Sequence, residues 1–80
     1  MSIRVLIAED QRIVREGIIA LLEDEVDMQI VAEATNGLEA VAFYTQLLPD
    51  IVLMDLQMPE MDGPTAITHI RAIHPQAHIL

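Results

Sequence analysis

Three carboxylates stand directly after two short apolar runs, and this placement is the chemically most informative feature of the sequence. The run Ile3–Ala8 is followed by Glu9 and Asp10, and the run Ile51–Met54 is followed by Asp55. Short runs rich in branched apolar residues predict buried parallel strands. Ligands in open α/β sheets bind outside the carboxyl ends of the strands, so we expect the three acids to meet at one edge of a sheet.

A cluster of carboxylates favours a bound cation. Each ionised acid raises the pKa of its neighbours, so the cluster persists most easily around a positive charge. Oxygen ligands in an open pocket suit Mg²⁺, which keeps several waters and binds one or two carboxylates together with a phosphate oxygen. A metal there also lets a carboxylate approach a phosphate, because it neutralises charge between two anions. The acids therefore predict a Mg²⁺ site with phosphoryl-transfer chemistry.

Each residue of this predicted site has a role. Asp55 stands alone on its strand and is the predicted nucleophile, which would form an acyl phosphate. Asp10, with Glu9 beside it, is predicted to hold the metal. The main-chain carbonyl of Gln57, just past the nucleophile, is placed to complete the metal's coordination. Further along this loop, Gly63 is expected to permit a tight backbone path.

The elements that position these acids alternate along the chain. After the first strand, residues three or four apart predict one apolar helical stripe; its members are Ile13, Val14, Gly17, Ile18, Leu21 and Leu22. Met28–Ala34 predicts a second strand. Asn36 is a predicted N-cap for the next helix, with Glu39 as its capping-box partner.

The remaining elements follow Asp55. Pro59 is expected to stiffen the loop, and Pro64 suits the first turn of a third helix that stops at His74. The final AHIL predicts the start of a fourth strand beyond Pro75. The order βαβαβαβ predicts a parallel sheet with right-handed crossovers and helices on both faces. In the strand order 2-1-3-4-5, the first and third strands are neighbours, which would bring the acids together.

Composition restricts the function classes. Eighty residues with 52% hydrophobic content predict one globular domain. The net charge of −9, with four arginines and no lysine, disfavours direct contact with nucleic acid or anionic lipid. No apolar run approaches the roughly 18 residues of a membrane span. The absence of cysteine excludes disulfides and is compatible with a reducing cytoplasm.

These residues together resemble a known family. The stretches VLIAED, DIVLMDLQMP and MPEMDG are similar to those of receiver domains of two-component response regulators, and REGIIALLE and IVAEATNGLEAV resemble the NarL/FixJ (LuxR-type) subfamily. The resemblance implies a flavodoxin-like (CheY-like) doubly wound fold in a cytoplasmic, non-enzymatic signalling protein. It implies that Asp55 accepts a phosphoryl group from a sensor histidine kinase. It also implies that Mg²⁺ is bound by Asp10, by Asp55 itself, by Glu9 directly or through water, and by the Gln57 carbonyl.

The resemblance further implies that residues 1–80 are a partial receiver domain. The family's fold has five strands, and its Ser/Thr and Lys follow the fourth and fifth strands, beyond Leu80. Phosphoryl uptake by this segment alone is therefore expected to be weak. A C-terminal helix-turn-helix domain is expected to provide the contact with DNA. An exposed fourth-strand edge predicts self-association of the 80-residue chain.

Two alternatives remain open from the residues. A phosphatase of the haloacid-dehalogenase type would need an acid two residues after its nucleophile, where Gln57 stands. A non-phosphorylatable, self-associating interaction module is the other. The three histidines lie around Pro75 without a common face and predict no metal site. Arg12 and Arg15 are expected on a solvated helix face, with Arg12 near enough to the acids to touch a phosphate.

Overall fold

The first strand of the chain lies at the centre of a three-stranded parallel sheet. The computed structural model describes residues 2–80, and Met1 lies outside them. The elements are β1 Ile3–Ala8, α1 Arg12–Glu23, β2 Met28–Ala34, α2 Gly37–Leu47, β3 Ile51–Met54 and α3 Gly63–Ile73. The predicted three strands and three helices are confirmed. Among the helices of residues 2–80, none is long and apolar enough to cross a membrane.

The strand order β2-β1-β3 confirms the predicted neighbour relation between the first and third strands. Ala8 pairs with Met54 on one side and with Ala34 on the other. Both pairings continue one residue further: the Asp55 N–H donates to the Ala8 carbonyl at 2.9 Å, and the Glu9 N–H donates to the Ala34 carbonyl at 2.9 Å. The three strands therefore end level with one another.

The predicted start of a fourth strand lies beside β3. Ile79 forms an isolated parallel bridge with Val52. Val52 donates to the His78 carbonyl at 2.9 Å and accepts from the Leu80 N–H at 2.8 Å. The Ala77 N–H donates back to His74 at 3.1 Å in the turn that follows α3. Residues 78–80 therefore pair with β3 in the parallel sense, as expected for the start of a fourth strand.

The main core lies between the sheet and the helices α2 and α3. Alternate strand residues face these helices; they include Leu6, Ala8, Val52 and Met54. Alanines at Ala40 and Ala66 let the helices approach closely, and Ile70 is fully buried among them. Complete burial of a side chain such as Leu6 or Ile70 contributes about 1.5–3 kcal/mol. The intervening residues Val5 and Ile7 are buried on the opposite face.

Helix α1 uses a different face from the one predicted. Its only half-buried residues within the described chain are spaced i, i+3, i+4 and i+7; they are Arg15, Ile18, Ile19 and Leu22. Of the predicted apolar stripe, Ile13 is 85% exposed and Leu21 is also exposed. The buried face of α1 is therefore rotated by part of a helical turn from the predicted one, and it shares only Ile18 and Leu22 with it. The reason is that Arg15, taken as a solvated residue, occupies the inward face.

The predicted N-cap of α2 is confirmed at Asn36, and Asp62, which was not predicted as a cap, caps α3. The Asn36 side chain accepts the Glu39 N–H at 2.8 Å, and Asp62 accepts the Thr65 N–H at 2.8 Å with Pro64 in the first turn. Glu39 does not reach back to Asn36 as a capping box requires. Its Oε1 instead accepts both the N–H and the hydroxyl of Thr35 at 2.7 Å, and these bonds lower the pKa of Glu39.

Candidate functional site

The three predicted acids lie together at the carboxyl end of the sheet. Glu9, Asp10 and Asp55 each place a carboxylate oxygen so that all three atoms lie within 4.8 Å of one another. Glu9 is buried, Asp55 is half-buried and Asp10 is exposed. The cluster therefore opens to solvent on the Asp10 side. Hard oxygen donors with an open side suit a small divalent cation that retains water ligands.

Glu9 is held at three points. Its N–H continues the pairing with β2 through Ala34. Its side-chain Oε2 accepts the Gln11 N–H at 3.1 Å. Its main-chain carbonyl accepts a hydrogen bond from the Arg15 guanidinium at 2.9 Å. The carboxylate is thus presented from a fixed backbone rather than from a mobile loop.

Asp55 is held by its own backbone and by the start of α3. Its N–H bonds to β1, and the next carbonyl, that of Leu56, accepts the Gly63 N–H at 3.1 Å. A Cβ on Gly63 would overlap the Asp55 carbonyl oxygen and lie 2.8 Å from the Leu56 Cα. Gly63 is therefore required for close approach. Its φ is not positive, so the tight backbone path predicted at Gly63 reflects this close approach rather than a left-handed turn.

The turn of this loop is made at Glu60 instead. Glu60 has a φ of 69°, and the Met61 N–H donates to the Pro59 carbonyl at 2.7 Å across it. Met61 in turn accepts the Gly37 N–H at 2.9 Å, where a Cβ on Gly37 would overlap the Met61 backbone. The loop after Asp55 is therefore fastened to the first residues of both α2 and α3.

Gln57 lies in the exposed part of the same loop. Among the hydrogen bonds of residues 2–80, none is donated to the Gln57 carbonyl, while Met58 next to it is buried and anchors the loop. The carbonyl thus retains its capacity to accept a ligand.

The electrostatics of the cluster centre on Glu9. Burial raises the pKa of Glu9, and the neighbouring Asp55 and Asp10 raise it further, while the Gln11 N–H opposes the change. Ionised Glu9 is therefore destabilised in the folded chain. A cation between the acids would favour ionised Glu9 and so offset both the cost of its burial and the repulsion from its neighbours.

Two arginines behave differently from each other. Arg12 pairs with Glu16 at 2.9 Å, and its side chain is 81% exposed, as the sequence predicts. Arg15 pairs with Glu33 at 3.1 Å and is only 15% exposed. Sequence reasoning missed Arg15. The available signals were its spacing with Ile18, Ile19 and Leu22, and the acid at Glu33 within an otherwise apolar strand.

The histidines lie away from the acid cluster. His74 follows α3 and packs edge-on against Tyr44, with 6.3 Å between the ring centroids. Within the described part of the chain, the acid cluster is the one group of three or more potential metal ligands. The chemistry of this molecule therefore concentrates at the carboxyl end of the sheet.

Comparison with known proteins gives consistent matches over the whole chain. Residues 5–80 match the profile of the response regulator receiver domain. The response regulator protein VraR of Staphylococcus aureus is 42% identical over 80 residues, which are 100% of this chain and 38% of VraR. The chain thus spans well under half the length of this curated relative.

Solved structures agree with the sequence match. A LuxR-family two-component response regulator from Aurantimonas sp. SI85-9A1 has a TM-score of 0.92 at 39% identity, covering 99% of this chain and 56% of that one. The CheX–CheY–BeF3–Mg²⁺ complex from Borrelia burgdorferi has a TM-score of 0.90 at 31% identity, covering 95% and 57%. The three strands and three helices described above therefore have the CheY-like arrangement.

The contact between Gly63 and the Asp55 backbone predicts the effect of one added methyl group. Gly63→Ala should destabilise the fold by about 1–3 kcal/mol, because the Cβ would push α3 away from the backbone of Asp55. Urea denaturation measures this loss. The matched control is Gly17→Ala in α1, where a Cβ would meet nothing within 4 Å. The control should be neutral or stabilising by about 0.5–1 kcal/mol. Equal stability of Gly63→Ala and the parent would contradict the close-packing account.

The raised pKa of Glu9 predicts a pH-dependent effect of its neutralisation. The pKa of Glu9 in the folded chain lies above the ordinary value of 4.5. Ionised Glu9 therefore lowers the free energy of unfolding, fully at a pH above the folded pKa and not at all at a pH well below 4.5. Glu9→Gln should therefore raise the melting temperature near neutral pH in EDTA and leave it unchanged at a pH below 4.5. Calorimetry at the two pH values measures the difference. An equal rise in melting temperature at both pH values would show that the charge of Glu9 does not cause the rise.

Proposed function

Because the chain belongs to the family of response regulator receiver domains, the phosphoacceptor modules of two-component signalling, we propose that Asp55 is its phosphoacceptor residue. Its similarity to VraR and to a LuxR-family regulator places it in the NarL/FixJ (LuxR-type) subfamily. The observation that carries the assignment to Asp55 is its position at the tip of β3, facing Glu9 and Asp10 within 4.8 Å.

The proposed reaction uses the fixed backbone of Asp55. A carboxylate oxygen of Asp55 attacks the phosphorus of a phosphohistidine, an O–P bond forms, and the P–N bond breaks. The departing imidazole takes up a proton, and Asp55 becomes an acyl phosphate. The hydrogen bond to Ala8 and the contact with Gly63 keep the attacking carboxylate at one place and so reduce the entropy lost in the step.

We propose that Mg²⁺ is held by the carboxylates of Glu9, Asp10 and Asp55 together with the Gln57 carbonyl. Three carboxylates within 4.8 Å and an uncommitted carbonyl in the adjacent loop support this set. The similar structure from Borrelia burgdorferi is a complex that contains both BeF3 and Mg²⁺. When bound, the metal supplies charge neutralisation between Asp55 and the phosphoryl group.

The partners follow from the family. The proposed phosphoryl donor is a cytoplasmic sensor histidine kinase. The matched relatives are longer, and we propose that regulation of transcription uses a DNA-binding region outside these residues. The acidic segment itself, at net charge −9, would not bind DNA. The chain would thus be a phosphoryl carrier rather than an enzyme with a separate substrate. A phosphatase is disfavoured because Gln57, two residues after Asp55, stands where the phosphatase would need an acid.

Phosphoryl uptake tests the role of Asp55. The full-length gene product is incubated with Mg²⁺ and acetyl phosphate, and its intact mass is measured. We expect one phosphoryl adduct, lost in Asp55→Asn and retained in Asp24→Asn, which changes an exposed acid at the end of α1. An adduct that persists in Asp55→Asn would contradict the proposal. Continuous release of phosphate from an ester would favour the phosphatase alternative.

Self-association of the 80-residue chain is supported by one surface. Leu80 is 76% exposed beside β3, and residues 78–80 pair with β3 alone in the described structure. An apolar, partly unpaired edge promotes pairing with a second chain. Light scattering of the 80-residue chain should show a mass that rises with concentration, and Leu80→Lys should reduce it. A folded monomer at all concentrations would refute self-association.

A further inference from the structure

The guanidinium of Arg15 connects three elements that meet behind the acid cluster. Arg15 lies in α1, its Nε donates to Glu33 Oε1 on β2 at 3.1 Å, and its Nη1 donates to the Glu9 carbonyl after β1 at 2.9 Å. The side chain faces inward with Ile18 and Ile19 and is 15% exposed. An arginine with so little solvent contact needs such partners to offset the loss of hydration.

The geometry points to Arg15 as a positioning residue for the proposed metal ligands Glu9 and Asp10. The carbonyl that Arg15 binds belongs to the peptide unit joining these two residues. Because that unit is planar, its orientation also sets the direction in which the Asp10 backbone leaves the strand. Asp10 itself lies in a bend between β1 and α1, outside both elements. This inference rests on the proposed function of the acid cluster.

Glu33 makes the positioning possible. It pairs with Ile7 in the β1–β2 register, one residue before Ala34, which accepts the Glu9 N–H. Both hydrogen-bonding groups of the Glu9 backbone are therefore fixed from the β2 side, one directly and one through Arg15. Glu33 also offsets the positive charge of Arg15, so the guanidinium can lie near a cation site without strong repulsion.

A lysine cannot replace this arrangement. The planar guanidinium directs Nε and Nη1 toward two different acceptors, whereas a lysine ammonium is a single point charge. Loss of a group that orients metal ligands through a hydrogen bond typically lowers metal affinity by about 10–100-fold. If positioning rather than charge is the function of Arg15, both Arg15→Lys and Arg15→Met should weaken binding.

The test compares matched substitutions in one helix of the full-length gene product. Mg²⁺ affinity is measured by calorimetry for the parent, Arg15→Met, Arg15→Lys and the control Arg12→Met, whose side chain is exposed and paired only with Glu16. We expect about a tenfold loss for both Arg15 variants and no change for the control. Glu33→Gln keeps the shape of the side chain that Arg15 binds, and it should lower Mg²⁺ affinity by a smaller factor. This variant replaces Arg15→Met in the test if Arg15→Met fails to fold.

A metal-free readout separates positioning from general stability. The amide resonance of Asp10 in NMR spectra should shift in Arg15→Met and Arg15→Lys and stay in place in Arg12→Met. Loss of stability with unchanged Mg²⁺ affinity and an unmoved Asp10 amide would overturn the role of Arg15. Absence of Mg²⁺ binding in the parent would overturn the proposed function instead, while the Asp10 amide would still decide the question for Arg15.

Discussion

The structure depends on holding three like charges together at the edge of a parallel sheet. Glu9, Asp10 and Asp55 repel one another, yet their oxygens lie within 4.8 Å. The backbone supplies the constraint: Glu9 is bonded to β2 and Asp55 to β1, so neither residue can withdraw without breaking a continuation of the sheet. Burial raises the pKa of Glu9, and the neighbouring Asp55 and Asp10 raise it further, so ionised Glu9 carries a free-energy cost in this position. Such a cost persists in a protein when the charged site serves a purpose, here a proposed cation and phosphoryl site.

The surrounding elements serve this constraint in different ways. The apolar strands bury Val5, Ile7 and Val52, which makes the sheet a rigid support. Gly37 and Gly63 begin the two helices that fasten the loop after Asp55, and both are needed for close contact rather than for unusual torsion angles. Arg15 fastens the other side through the Glu9 carbonyl. The acid cluster is thus supported from β2, α1, α2 and α3.

Much of this arrangement could be predicted from local patterns. The strands, the N-cap at Asn36 and the convergence of the acids follow from runs, spacing and the rule for strand ends. The inward face of α1 could not be predicted in this way, because the apolar pattern assigns Arg15 to solvent and Ile13 to the core. Its true orientation depends on Glu33, which the sheet brings alongside α1 from 18 residues away. The turn at Glu60 was not predicted, because a glutamate rarely adopts a positive φ and the type of residue gives no signal for it.

The central claim is that Asp55 carries the phosphoryl group, and the most direct measurement locates the modified residue. After phosphorylation of the full-length gene product with Mg²⁺ and acetyl phosphate, borohydride reduction converts an aspartyl phosphate to homoserine, and peptide sequencing by mass spectrometry finds its position. The account predicts homoserine at Asp55 and unmodified Glu9 and Asp10. A reduced residue at either of those two acids, or phosphate on a histidine with Asp55 unchanged, would contradict it.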